Sequence, residues 1–495
     1  MAELKPIIVN NPQKGIAPSS YLGFEEIRNL NITDKPGVAY PHRALTSEGG
    51  ATVDDLMEKM VKDSTGNIWG YTKEVGNYVF KRNGTWAELT AHTDSEIDGM
   101  EYWKSYVAII EGGTIDWYKI SDNSCDTSWA SDAITNSGSN PHPTLHSKND
   151  DKLYLGANNV IDTITEDTNF VPATGATYTV VKAAFKLPEG YTIVYLEELG
   201  EKLVIGTSKN GNAMESVLFF WDRSSTTYDN IITMRDESIA NMIVVDNLLY
   251  IQGGTKGTWY VSNGTSTQKI AELPYTLADL SSFPLNVYRN AICYKDGLIY
   301  FGVSYNGGSV AVPILGVWSL NPKTSALNYE YTISPGEYGQ TATKAVYIGA
   351  LIPIGGSNPN LLVSWYDENG SAYGTDDIGS ARYTSDLAYL VSDFSRVAGS
   401  LDKRPLNKWS VQLSKPMASG DSVKVYYRTA QNGSWLNVVD GVTESTTSTD
   451  NTAFMSFAVE GASQSKRIDQ PIEVENLQVK IVLNDEAELF ETRIL

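Results

Sequence analysis

The chain has four histidines, His42, His92, His142 and His146. His142 and His146 stand four residues apart, a spacing that on a helix would turn both rings to one side, as metal ligation requires. Pro141 and Pro143 flank the first of them and argue against that helix, so both read as loop residues, with a metal site as the alternative. Acid–base work on a glycosidic bond needs two carboxyl groups facing each other across it. The adjacent pairs Asp54-Asp55, Asp150-Asp151 and Asp376-Asp377 are candidates by composition only. Neighbours on a strand point to opposite faces, so none forms an obvious pair. Flat rings able to stack on a sugar are offered by Trp86, Trp103, Trp129 and Tyr373, each of which is equally suited to core packing.

Other catalytic plans are missing from the text of the chain. There is no Gly-x-Ser-x-Gly elbow, no Walker-type phosphate loop and no EF-hand loop. Ser121–Trp129 only superficially matches the repeated Ser-x-Asp-x-Gly-x-Thr-Trp box of sialidases. The expectation is a protein that is not an enzyme, with no catalytic residues, no metal and no cofactor.

The elements that would carry these residues repeat. Gly200-Glu201-Lys202-Leu203-Val204-Ile205-Gly206 returns as Asp246-Asn247-Leu248-Leu249-Tyr250-Ile251-Gln252-Gly253 and as Asp296-Gly297-Leu298-Ile299-Tyr300-Phe301-Gly302. A looser copy is Asp151-Lys152-Leu153-Tyr154-Leu155-Gly156. Each is a polar turn feeding an apolar strand that stops at glycine. A second phrase places an aromatic strand before a turn, as in Asn77–Phe80, where Asn83-Gly84 leads into Thr85–Leu89. It recurs near Trp117, at 159–170, and near Phe219, Trp259, Trp318 and Trp365. Repetition every 40 to 60 residues or so in an all-β chain predicts a β-propeller of about seven blades.

Three domains are expected. Residues 1–50 are turn-rich and without period and read as an extended N-terminal arm. Residues 51–402 form the propeller. Within them, 52–64 fits either a helical stripe through Val53, Leu56, Met57, Met60 and Val61 or the first strand of a blade. Residues 403–495 show strict alternation, as in Ile472–Leu483, and predict a C-terminal β-sandwich. Thr443–Thr452 reads as an exposed loop.

The 495 residues carry a formal net charge of −21, of which residues 403–495, with 10 Lys/Arg and 12 Asp/Glu, hold only −2. So acidic a body argues against direct nucleic-acid binding. It also disfavours anionic membrane surfaces, and no apolar run is long enough to insert. Two distant cysteines, Cys125 and Cys293, make no disulfide framework and read as buried thiols. The start of the chain lacks the plan of a signal peptide, which points to synthesis in a cytoplasm.

The opening Pro6–Ala17, with Gly23–Leu30 and Lys35–Val38, resembles the start of tailed-bacteriophage virion proteins with propeller bodies. Ser422–Arg428 with Trp435, and Leu477–Leu483, resemble sandwich domains of phage tail and hub proteins. The whole plan is similar to nozzle or stabilisation proteins of the tail and neck. This resemblance implies a structural virion component, made in the host cytoplasm, whose partners are other tail, hub or neck subunits and copies of itself in a ring. Two alternatives stay open: a receptor- or glycan-binding virion protein facing a host surface glycan, and a propeller glycoside hydrolase.

Overall fold

The computed structural model describes most of residues 24–396 apart from connecting segments, together with 7–9, 404–413, 422–430, 433–437, 463–474 and 476–494. Every regular element among the described residues is a strand. Contacts divide the chain into two units. One holds 47–316 and 335–377; the other holds 1–46, 317–334 and 378–495.

The first unit is a β-propeller arrangement with five four-stranded blades, each a simple antiparallel meander. Blade 1 runs Met57–Lys62, Ile68–Thr72, Val79–Asn83 and Thr85–Leu89. Blade 2 runs Gly99–Trp103, Tyr106–Glu111, Thr114–Lys119 and Cys125–Trp129. Blade 3 runs Thr144–His146, Leu153–Ala157, Val160–Glu166 and Tyr178–Lys186. Blade 4 runs Tyr191–Leu199, Lys202–Lys209, Ser216–Trp221 and Asn230–Met234. Blade 5 runs Ile239–Val245, Leu248–Gly253, Thr258–Ser262 and Thr267–Ala271. The same unit also contains Ile292–Lys295, Leu298–Asn306, Ala345–Ile354 and Asn360–Asp367, and Ala372–Arg382 starts in it. Residues 57–62 form a strand rather than a helical turn.

Blade strands are apolar on both faces because both faces meet a neighbouring blade. Tyr106–Glu111 shows the rule. Val107 and Ile109 pack with Val61, Trp69 and Tyr71 of blade 1. Tyr106, Ala108 and Ile110 turn the other way and pack with Leu153, Leu155 and Ile164 of blade 3. Similar cores lie between blades 3 and 4, around Ile161, Phe185, Ile205 and Phe219, and between blades 4 and 5, around Val204, Leu218, Met242 and Ile251. Burying each such aliphatic side chain contributes roughly 1.5–3 kcal/mol, so the interleaved cores dominate the stability of the unit.

The repeated phrase is the turn from the first strand of a sheet into its second. Asp246 and Asn247, and likewise Asp296 and Gly297, take positive φ of 50° and 61°, and of 50° and 82°. This is the two-residue turn that matches strand twist, and Asp, Asn and Gly tolerate it best. The hairpin at Asn83-Gly84 also forms, but there Gly84 alone takes the positive φ, +82°. The glycine that ends the phrase is a packing requirement. A Cβ on Gly156 would lie 2.8 Å from Ile193 of blade 4, and one on Gly302 would lie 2.6 Å from Ile348.

The second unit holds strands of two further sheets. In one, Ile7–Val9, Leu489–Ile494, Arg404–Leu413 and Ser463–Val474 are neighbours in that order. The other runs Leu436–Asn437, Ser422–Arg428, Asn476–Asn484, Tyr389–Ser392, Phe24–Arg28 and Leu327–Tyr331. Residues 24–28, expected within an arm, are thus a paired strand, with Ile27 opposite Leu390. Buried Asn29, at φ 54°, ties the unit together. Its side chain donates to Thr332 Oγ1 at 3.0 Å and to the Leu387 carbonyl at 2.9 Å, and accepts from the Thr332 amide at 2.9 Å. Residues 443–452, expected as a loop, and Phe454 and Phe457 lie outside the described residues.

Candidate functional site

The first unit contains a cavity of about 430 Å³ where the first strands of blades 1 to 4 meet the turn before Ile292. Blade 1 supplies Glu58, Lys59, Tyr71 and Lys73, and blade 2 supplies Gly99 and Glu101, with Asp98 just ahead of it. Blade 3 supplies Thr144 and Leu145, preceded by His142 and Pro143, and blade 4 supplies Tyr195, Leu196 and Glu197. The turn Tyr288-Arg289-Asn290 closes the remaining side. The close approach of these strands dictates Gly99, whose Cβ would fall 2.6 Å from the His142 carbonyl oxygen.

Two of the three cations are held by the protein itself. Lys59 Nζ lies 2.8 Å from Glu101 Oε2 and donates to Thr144 Oγ1 at 2.7 Å, joining blades 1, 2 and 3. The Thr144 hydroxyl in turn donates to the Met100 carbonyl at 2.8 Å. Lys73 Nζ sits between Glu96 at 2.7 Å and Asp98 at 2.9 Å. Burial pulls the Lys73 ammonium down, but the two carboxylates outweigh it and leave its pKa above the ordinary lysine value.

Arg289 differs. It makes no hydrogen bond or ion pair with the described residues, and it is mostly buried. Burial holds its guanidinium below the ordinary arginine value, with the more distant Tyr71, Glu58 and Tyr195 opposing. Its turn is pinned from both ends. Asn290, in the left-handed region at φ 64°, donates its amide N–H to Asn241 Oδ1 at 2.8 Å and its side-chain N–H to the Glu58 carbonyl at 3.1 Å. Asn241 of blade 5, fully buried, donates to the Tyr288 carbonyl and to Gln252 Oε1, each at 3.0 Å.

Glu197 is the other unusual group. Burial, reinforced by the charges of Glu198 and Glu101, pushes its carboxyl up to about 7, so near neutral pH it both donates and accepts. Burial also raises the phenols of Tyr71 and Tyr195, which stay protonated as donors.

The residues singled out from sequence lie elsewhere, with one exception. His142 lines the cavity, its Nδ1 3.0 Å from the Gly156 carbonyl and its Nε2 2.8 Å from that of Gly112. Burial lowers its pKa against the pull of Asp98. His146 ends a strand rather than lying in a loop, and faces Asp151 at 2.9 Å. His42 pairs with buried Glu330 in the second unit, and His92 lies outside the described residues.

The carboxylate pairs serve turns and indoles. Asp150 accepts from the Tyr154 hydroxyl at 2.6 Å, Asp151 from Lys104. Asp376 accepts from the Trp365 indole at 2.7 Å. Asp55 is buried and caps the Leu56 amide, and Asp54 lies outside the described residues.

Of the stacking candidates, Trp103 is 0% exposed and donates to the Asp151 carbonyl at 2.9 Å. Trp86, 6% exposed, donates to Thr375 Oγ1 at 2.9 Å. It borders a smaller cavity of about 290 Å³ that the Arg82–Glu48 ion pair also lines. Neither indole offers a free ring face, because inter-blade packing covers it. Tyr373 is half-buried and stacks on Tyr366 with ring centroids 4.4 Å apart. The row continues through Tyr347, at 5.7 Å, to Tyr288 at the cavity, 5.1 Å further. Trp129 lies on the last strand of blade 2 and its side chain is outside the described residues.

Sequence reading missed Glu58, Lys59, Glu101, Glu197 and Arg289. The available signal was a charged residue inside the strand or turn ahead of each apolar hairpin.

No protein-family model and no curated protein sequence matches the chain. Solved structures match it as folds. The computationally designed Ika8 protein is 14% identical, with a TM-score of 0.37, over 71% of this chain and 96% of its own. The Neurospora crassa Pan2 WD40 domain is 10% identical, with a TM-score of 0.41, over 70% of this chain and 97% of its own. Among the described residues no helix is long and apolar enough to cross a membrane, and no group of three or more His, Cys, Asp or Glu side chains is placed to hold a metal.

Proposed function

We propose that the protein is a structural, non-enzymatic subunit of a tailed-phage virion, working through assembly interfaces with copies of itself and with tail, hub or neck proteins. The observation that carries this reading is the weave of the chain. Its beginning, its end and a segment from its middle, 317–334, enter one unit, while the propeller takes the rest. Ile7–Val9 pairs with Leu489–Ile494 in that unit. Segments interwoven in this way suit a subunit that transmits load in an assembly.

The finer architecture belongs to the same proposal: a seven-bladed propeller and a C-terminal sandwich. In support, Ile292–Lys295 packs against the first strand of blade 5 and against Ala345–Ile354, and Ala345–Ile354 packs against the first strand of blade 1. That succession has room for two blades after the fifth. The two sheets with strands in the second unit are candidates for the layers a sandwich requires.

Mass measurement by light scattering, with electron-microscopy class averages of the purified full-length protein, tests the assembly reading. A closed ring of fixed copy number, with the protein found in purified particles by mass spectrometry, supports it. A monomer at every concentration, absent from particles, overturns it.

A second reading, a glycan-binding virion protein, is favoured by one observation. Arg289 presents a guanidinium that has no hydrogen-bond or ion-pair partner among the described residues to a cavity whose lining includes phenol, hydroxyl, carboxyl and amide groups. Glycan-array binding that disappears in Arg289→Met tests it, and an array with no binding at all overturns it.

A further inference from the structure

We propose that the axial cavity binds a sugar acid, a pyranose carrying a single carboxylate, with Arg289 as the carboxylate's partner. This rests on the glycan-binding reading and names its ligand. Size comes first: about 430 Å³ suits one or two sugar rings, within the usual range of small-molecule sites.

Charge comes next. A mostly buried guanidinium without a partner is an unfavourable arrangement that an incoming anion relieves. Its planar fork matches a carboxylate or a phosphate oxygen pair. The remaining lining decides between these. Lys59 and Lys73 are already engaged by Glu101, Glu96 and Asp98, so among the described residues lining the cavity Arg289 is the cation with capacity to spare. Glu58 lines the same space and repels a dianion more strongly than a monoanion. A monocarboxylate is accommodated and a phosphate monoester is disfavoured.

The sugar ring is implied by what surrounds that contact. Tyr71, Tyr195 and Tyr288 bring rings and phenol hydroxyls, and Glu197, Glu101 and Asn290 bring acceptors and donors suited to hydroxyl groups. Each is fixed on a blade strand or on the pinned turn, so the site is preorganised by the blades.

Isothermal titration of the full-length protein with glucuronate, glucose, glucose 6-phosphate and a glucuronate-containing oligosaccharide tests this. Glucuronate is expected to bind at least 10-fold more tightly than glucose or glucose 6-phosphate. Arg289→Met is expected to weaken glucuronate by about 10- to 100-fold, the loss typical of a paired charge-assisted contact, at an unchanged melting temperature. Arg289→Lys, which keeps charge without the fork, is expected to fall between.

A tighter oligosaccharide assigns the ligand to a polysaccharide chain, and equal affinity assigns it to the free sugar acid. Glucose binding as well as glucuronate, or glucuronate binding untouched by Arg289→Met, overturns the sugar-acid assignment while leaving glycan binding standing. No binding of any saccharide overturns both.

Discussion

Along the wall of the axial cavity built by blades 1 to 3, Lys59 and Lys73 are each neutralised by carboxylates from neighbouring segments. Along the wall built by blade 4 and the turn 288–290, Arg289 has no such partner among the described residues and Glu197 is driven toward its neutral form. Both walls consist of charged residues on first strands and turns close to the propeller axis. The first spends its charges on joining blades, since Lys59 alone ties three of them. The second leaves the Arg289 guanidinium open to whatever enters. A charge held by its own protein contributes to folding, and a charge left unpaired at a pinned position is preorganised for a ligand.

The largest expected difference comes from Lys59→Met. Glu101 would remain half-buried without its cation, and urea unfolding should show a loss of about 3 kcal/mol. Lys59→Met with Glu101→Met should recover most of it, because removing both partners leaves no orphan charge. A single variant as stable as the parent would show that the wall is not a staple and would erase the contrast. Next in size is Asn241→Ala, which removes the buried acceptor of the Asn290 amide and the donor to the Tyr288 carbonyl. It should cost about 2 kcal/mol and release the Arg289 turn, so that any ligand affinity falls with it. Stability lost with affinity intact would mean that the turn is held by other contacts.

How much of this was legible in the chain differs between the walls and the blades. The turn phrases could be read because their requirement is local. Asp246-Asn247 and Asp296-Gly297 must take positive φ, and few residues do so readily. The apolar strands could be read for the same reason, as Val107 to Ile110 need neighbours on both sides. The cavity could not. Lys59 and Glu101 are 42 residues apart and lie on strands of different blades. Arg289 gains its meaning from Asn241, almost fifty residues earlier, and from Glu58 in the first blade. A propeller gathers its axial residues one or two per repeat, so no spacing announces them. Residues 24–28 were missed likewise, because their partner strand, 389–392, lies more than 350 residues away.

A pH-dependent effect on stability is expected at Glu197. Its folded-state pKa, about 7, lies above the 4.5 of an ordinary glutamate. The folded protein therefore holds a proton that the unfolded chain has lost between those values. That contribution is complete below pH 4.5 or so and disappears as pH rises to about 7. Glu198 and Glu101 add to the shift and Lys148 opposes it. Glu197→Gln keeps the shape and removes the titration. It should match the parent near pH 4.5 and exceed it in stability at pH 8, and parallel pH curves for the two proteins would sink the assignment.

The smallest expected effect is the one the comparison depends on most. Arg289→Met breaks no hydrogen bond and no ion pair with the described residues, and it relieves the burial of a charge. Its unfolding free energy should stay within about 0.5 kcal/mol of the parent or rise, the range of substitutions that remove no packed or paired group. A loss as large as that from Lys59→Met would place Arg289 among the staples and remove the physical distinction between the two walls. A neutral result, set beside a large loss for Lys59→Met, would leave ligand binding as the remaining reason to keep a buried guanidinium there.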